Sequence, residues 1–91
     1  MDSKVFMELA KKAVLDYFNK HTDPTDETCM SIEDVYVVWS CKILQHNKAM
    51  LSTTAPDGMY YECTFNGDTN EIYLDAYKRW DQEVIKNERG K

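Results

Sequence analysis

Glycine, proline and cysteine are all scarce in this chain of 91 residues, with three, two and three copies respectively. Gly58, Gly67 and Gly90 stand far apart, so there is no glycine-rich loop to cradle a phosphate. Cys29, Cys41 and Cys63 are odd in number and widely spaced, with no Cys-x-x-Cys pair. A disulfide framework needs an even, dense set, so free thiols are expected. His21 and His46 complete no zinc-ligand spacing with them. No apolar run approaches the roughly 20 residues that span a bilayer. Near the N-terminus Glu8, Lys11 and Lys12 interrupt the apolar residues, which argues against a signal peptide and for a cytoplasmic protein. Positive charge is also short. The net charge is −5, and Lys11-Lys12 and Lys78-Arg79 are the only adjacent basic pairs. Nucleic-acid binding needs a basic patch to neutralise phosphates, so nucleic acid is an unlikely partner.

What the chain does contain is acid in one place and turn signals in another. Between His21 and Asp34 lie Asp23, Asp26, Glu27, Glu33 and Asp34, with no Lys or Arg. Such an acidic stretch repels DNA and attracts basic partners. Pro56-Asp57-Gly58 and Asn66-Gly67 are strong turns, because glycine and asparagine tolerate positive φ. They cut the second half of the chain into short β-like runs.

The pattern predicts a single α+β domain. Phe6, Leu9, Ala10, Ala13, Tyr17 and Phe18 recur at three- and four-residue steps, which predicts an amphipathic helix over 3–20. Asp2 or Ser3 caps its start. An acidic connector, 21–34, follows. A sheet over 35–78 is expected as a four-stranded antiparallel meander, because each connection is short. The first strand is read as Asp34 to His46, with Val35, Val37, Trp39, Cys41 and Ile43 on its apolar face. His46-Asn47-Lys48 is read as the hairpin turn, and Ala49 to Thr54 as the second strand. Met59 to Phe65 and Glu71 to Tyr77 complete the sheet. Residues 79–91 are read as a short C-terminal helix or an extended tail. Cys63, Phe65, Ile72 and Leu74 are expected in the core.

No residue set points to catalysis, and a non-enzymatic protein with no cofactor is expected. Cys41 and His46 are the nearest nucleophile and base, but five positions apart on one strand they face opposite ways. Asp68, Asn70 and Glu71 lack the further oxygen ligands and the glycine of a calcium loop. By parity Tyr60, Tyr73 and Tyr77 share a face with Glu62 and Asp75, and a regular hairpin makes those two carboxylates neighbours. Aromatic surfaces of this kind suit protein interfaces or stacking on a planar ligand, and they also arise as cross-strand pairs that only stabilise a sheet. The candidate contact residues are therefore Asp23, Asp26 and Glu27 in the connector, and Tyr60, Glu62, Tyr73, Asp75 and Tyr77 on the sheet.

The runs DVYVVWSCKILQ, AMLSTT, PDGMYYE, FNGD and EIYLDAYKRW resemble an uncharacterised family of proteins of about this length from phages and prophages of Gram-positive bacteria. The resemblance implies no activity, cofactor or catalytic residue. It implies a setting, a small phage accessory protein in the cytoplasm of an infected or lysogenic host. The reading that follows is a binding module for a host protein with a basic surface, such as a defence or replication factor. The alternative is a sponge for a nucleotide-type signal, which requires Lys42, Lys48, Lys78 and Arg79 to converge. A homodimer is a further expectation.

Overall fold

The computed structural model describes residues 1–21 and 30–87. Asp23, Asp26 and Glu27 lie outside the described residues. Helix α1 spans Ser3–Lys20. Its start is fixed by Asp2, whose side chain accepts from the Lys4 N–H at 3.1 Å. At its end the His21 N–H donates to the Tyr17 and Phe18 carbonyls, and the imidazole stacks on Tyr17 at 4.1 Å. A single 3-10 turn, Ile32–Asp34, leads into the sheet. Asp34 accepts there from both the N–H and the hydroxyl of Ser31, at 3.0 and 3.2 Å.

Four strands follow, β1 (Val35–Ile43), β2 (His46–Thr53), β3 (Met59–Asn66) and β4 (Glu71–Lys78). Their spatial order is β1-β2-β3-β4, all antiparallel, so the expected helix-plus-meander architecture is the observed one. Helix α1 lies on one face. Phe6, Ala10 and Val14 bury against Val35, Ala49, Leu51, Tyr61, Cys63 and Phe65. Ala10 and Ala49 are fully buried, and small side chains at both positions let helix and sheet approach closely. The other face carries no covering element among the described residues.

Three details differ from the sequence reading. The first hairpin turns at Leu44-Gln45, because Ile43 already pairs with His46. His46-Asn47-Lys48 is therefore strand, with Asn47 buried, and the left-handed turn position falls on Leu44, at φ 54°. In the β3–β4 turn the left-handed residue is Asn70, at φ 57°, with its N–H donating to the Asn66 carbonyl at 2.8 Å. Gly67 serves a different purpose. A Cβ there would strike the Gln45 carbonyl oxygen and stand 2.6 Å from Gln45 Cγ, so glycine lets the two turns at this end of the sheet pack together. Residues 79–87 form neither helix nor strand.

The third difference bears on function. A β-bulge interrupts the β1–β2 register between Val37 and Trp39. A bulge adds one residue to one strand and reverses side-chain parity beyond it. Val35 and Val37 face the helix, as expected. Past the bulge the helix side takes Ser40 and Lys42 instead. The Ser40 hydroxyl lies 3.9 Å from Met7 Sδ, and Lys42 Nζ donates to the Met1 carbonyl at 2.9 Å. Trp39, Cys41 and Ile43, read from sequence as core-facing, are turned to the open face.

Candidate functional site

The open face is built from four cross-strand rows. At one end Tyr36 pairs with Ser52, Ser52 with Tyr60 and Tyr60 with Tyr77. The next row runs Trp39, Met50, Glu62, Asp75, and the one beyond it Cys41, Lys48, Thr64, Tyr73. Ile43 and His46 close the far end. Tyr36, Trp39, Tyr73 and Tyr77 are between 42% and 51% exposed, so their rings are offered to solvent rather than spent on the core.

The strands thus bring together every sheet residue singled out from sequence: Tyr60, Glu62, Tyr73, Asp75 and Tyr77. Glu62 and Asp75 are direct partners across β3 and β4. Lys48 Nζ pairs with Glu62 Oε1 at 3.3 Å, while Asp75 has no salt-bridge partner among the described residues. Like charges directly opposite in a sheet cost stability, about 0.2–1 kcal/mol. The result is a net negative centre with Tyr60 and Tyr77 on one side, Thr64 and Tyr73 on the other, and Trp39 and Met50 at the flank. A carboxylate pair framed by aromatic rings suits a guanidinium or ammonium group, which gains charge-assisted hydrogen bonds from the acids and cation–π contact from the rings.

Sequence reasoning missed Trp39, Met50 and Lys48 as members of this face, and left Tyr36, whose parity it read correctly, out of the candidate contact residues. Trp39 was misplaced because nothing in a strand sequence announces a bulge. The only trace is the unbroken run Tyr36-Val37-Val38-Trp39, which shows no alternation to fix parity.

Two depressions flank the centre. One, of about 210 Å³, lies between Tyr36, Ser52, Pro56, Tyr60 and Arg79. Gly58, at φ +69°, shapes its rim in the turn expected there, and the Arg79 N–H donates to the Gly58 carbonyl at 2.8 Å. The other, of about 190 Å³, is lined by Cys41, Ile43, His46, Asn47, Lys48 and Thr64. Cys41 and His46 therefore share one depression, contrary to the opposite-face reading, because the turn at Leu44-Gln45 puts them on different strands and Ile43, on the face of Cys41, pairs with His46. They still make no nucleophile–base pair. His46 Nδ1 accepts from the Gly67 N–H at 3.1 Å, which puts the ring proton on Nε2, 3.8 Å from Asp68 Oδ2. An imidazole whose lone pair is so engaged has no basic nitrogen to offer a thiol. Cys63 is wholly buried, and burial, with a smaller effect from Asp75, pushes its thiol up to about 11. It stays protonated and unreactive at neutral pH.

Among the described residues no three His, Cys, Asp or Glu side chains gather to hold a metal ion. Asp68 is instead drawn to Gln45, whose Nε2 donates to Oδ1 at 2.6 Å. The four cations required for nucleotide capture do not meet. Lys42 reaches to the helix N-terminus, Lys48 to Glu62, and Lys78 and Arg79 lie at the opposite end of the sheet, about 16 Å from the Lys48 row at 3.3 Å per residue. Among the described residues no helix is long and apolar enough to cross a membrane.

Residues 7–87 fit the model of the Family of unknown function (DUF6275). The chain belongs to this family. The match takes in α1, the whole sheet and the segment after β4. No curated protein and no solved structure matches.

Proposed function

We propose that this family member is a non-enzymatic binding module whose open sheet face receives a basic side chain of a protein partner. The observation that carries the reading is the Glu62–Asp75 pair, two carboxylates held opposite each other with one lysine paired to Glu62 alone, inside a frame of exposed aromatic residues. A like-charge pair is unfavourable in the free protein and is relieved by an incoming cation. Exposed Trp and Tyr rings supply rigid contact area of the kind enriched at interface centres. The acid-rich run at Asp23, Asp26 and Glu27 adds long-range attraction for the same kind of partner. The resemblance to phage and prophage proteins supports a setting for this module: an accessory protein in the host cytoplasm, engaging a host defence or replication factor.

Selection from a randomised peptide library tests the reading. Peptides retained by the native protein are expected to be enriched in Arg or Lys beside apolar residues. Their binding should weaken as salt rises, and should fall on a Glu62→Gln/Asp75→Asn double variant. Binders with no basic enrichment, or binders indifferent to that variant, would contradict it.

A further inference from the structure

The helix side of the sheet is covered unevenly. Helix α1 packs on β1 and β2 and less on β3, and it leaves β4 largely bare. The helix-side residues of β4 show this, because Ile72 remains 37% exposed, Ala76 is exposed and Leu74 is only partly buried. Ile72 was expected in the core, and it is not there. The helix flank above β4 is apolar as well. Met7 marks the β1 side of α1 through Ser40. Val5 and Leu9 each lie two residues from Met7, about 200° round the helix, and so face the β4 side. They are 45% and 38% exposed. Val5, Leu9, Ile72 and Leu74 thus outline an apolar trough along an edge strand.

The same chain carries an apolar segment with nowhere to go. Trp80 is 99% exposed, Val84 81% and Ile85 82%. It does not fold back on its own trough, because the hydrogen bond from Arg79 to Gly58 prolongs β4 and sends Trp80 past the end of the sheet opposite Ile72. The radius of gyration is 15.4 Å, against about 12 Å for a compact chain of this length. The family match extends through residue 87 and so includes this segment.

We propose that the occupant of the trough is a second copy of this chain, which lays its Trp80–Ile85 segment over Ile72, Leu74, Val5 and Leu9 and receives the same contact in return. One surface that is both donor and acceptor closes with two-fold symmetry. Trp80, Val84 and Ile85 offer roughly 400 Å² of apolar side chain per copy. The trough, whose residues are already more than half buried, adds roughly 250 Å², and doubled by the two-fold the contact reaches about 1,300 Å², within the range of specific stable interfaces. The seam lies on the helix side, so the open aromatic face stays free for its own partner.

The test is light scattering of the full chain across micromolar to millimolar concentration, with Trp39→Phe protein used to read Trp80 emission alone. The expected result is a dimer with blue-shifted Trp80 emission. Trp80→Ser, which removes an exposed side chain and leaves the monomer fold intact, should weaken association by about 30-fold or more. Ile72→Thr, which keeps the β-branched shape, should weaken it too. A monomer at all concentrations overturns the proposal, and so does a monomer with blue-shifted Trp80, which places the segment on its own chain. A dimer indifferent to Trp80→Ser joins through another face. A dimer sensitive to Trp80→Ser but not to Ile72→Thr puts the segment outside the trough.

Discussion

Glu62 and Asp75 face each other across β3 and β4, and Lys48 reaches only Glu62, at 3.3 Å. The sheet therefore holds one carboxylate without a counter-ion beside another carboxylate. This arrangement opposes stability, and under the proposed function an incoming cation relieves it. Asp75→Asn should raise the urea midpoint by the equivalent of about 0.2–1 kcal/mol, because it removes a like-charge cross-strand pair. The same substitution should weaken any basic peptide that the wild-type protein binds. A variant that loses both stability and binding would show that Asp75 has a structural role instead.

The Val38 bulge predicts which thiols react. Cys41 is exposed on the open face and Cys63 is wholly buried. Alkylation of native protein near neutral pH, mapped by mass spectrometry, should modify Cys41 quickly. Cys63 should remain protected until the chain unfolds. A strand without the bulge would turn Cys41 toward the helix, and slow labelling of Cys41 would then be seen.

Gly67→Ala probes the contact between the two turns at the Ile43 end of the sheet. Its new methyl group would meet the Gln45 backbone oxygen. Overpacking of this kind costs about 1–3 kcal/mol. Chemical denaturation should show the loss, and the Gly67 N–H to His46 contact should loosen with it. An unchanged midpoint would mean that the Leu44-Gln45 turn moves aside freely.

Alkaline pH should destabilise the fold through Cys63. Its thiol is raised from 9.0 to about 11, by burial first and Asp75 second. Below pH 9 the thiol is protonated in folded and unfolded chains alike, so it adds no pH dependence. Between about 9 and 11 the unfolded chain releases this proton and the folded chain keeps it, so stability falls as pH rises. Two units correspond to about 2.7 kcal/mol at most. Tyr61 is also raised, by burial and then by Asp57 and Tyr17, and it pulls in the same direction at higher pH. Denaturation midpoints measured from pH 8 to 11 should drop, and the drop between 9 and 11 should be shallower in Cys63→Ala. Equal slopes would remove Cys63 from the effect.

Much of the fold was legible from periodicity and turns. The Phe6 and Ala10 steps of the helix, the Pro56-Asp57-Gly58 turn and the alternation of Tyr60 to Phe65 each rest on local chemistry, whereas the expected stripe omits Val14, which is buried, and includes Leu9, which is 38% exposed. The outcome of those three does not depend on distant contacts. The candidate surface was half legible for the same reason. Parity alone put Tyr60, Glu62, Tyr73, Asp75 and Tyr77 on one face. What sequence did not reveal is set by tertiary geometry. The bulge at Val38 arises from pairing with β2 and moved Trp39 and Cys41 across the sheet. The coverage of α1 stops short of β4, which left Ile72 outside the core. The turn at Leu44 uses a leucine in a left-handed conformation, a choice that no propensity scale favours.

An amide and indole chemical-shift map with a basic peptide selected by the protein reads the open face directly. Signals of Trp39, Glu62, Tyr73, Asp75 and Tyr77 should move together, while those of Glu8 and Lys12, exposed on α1, stay still. Shifts confined to the helix, with Glu62 and Asp75 unmoved, would contradict the proposed function.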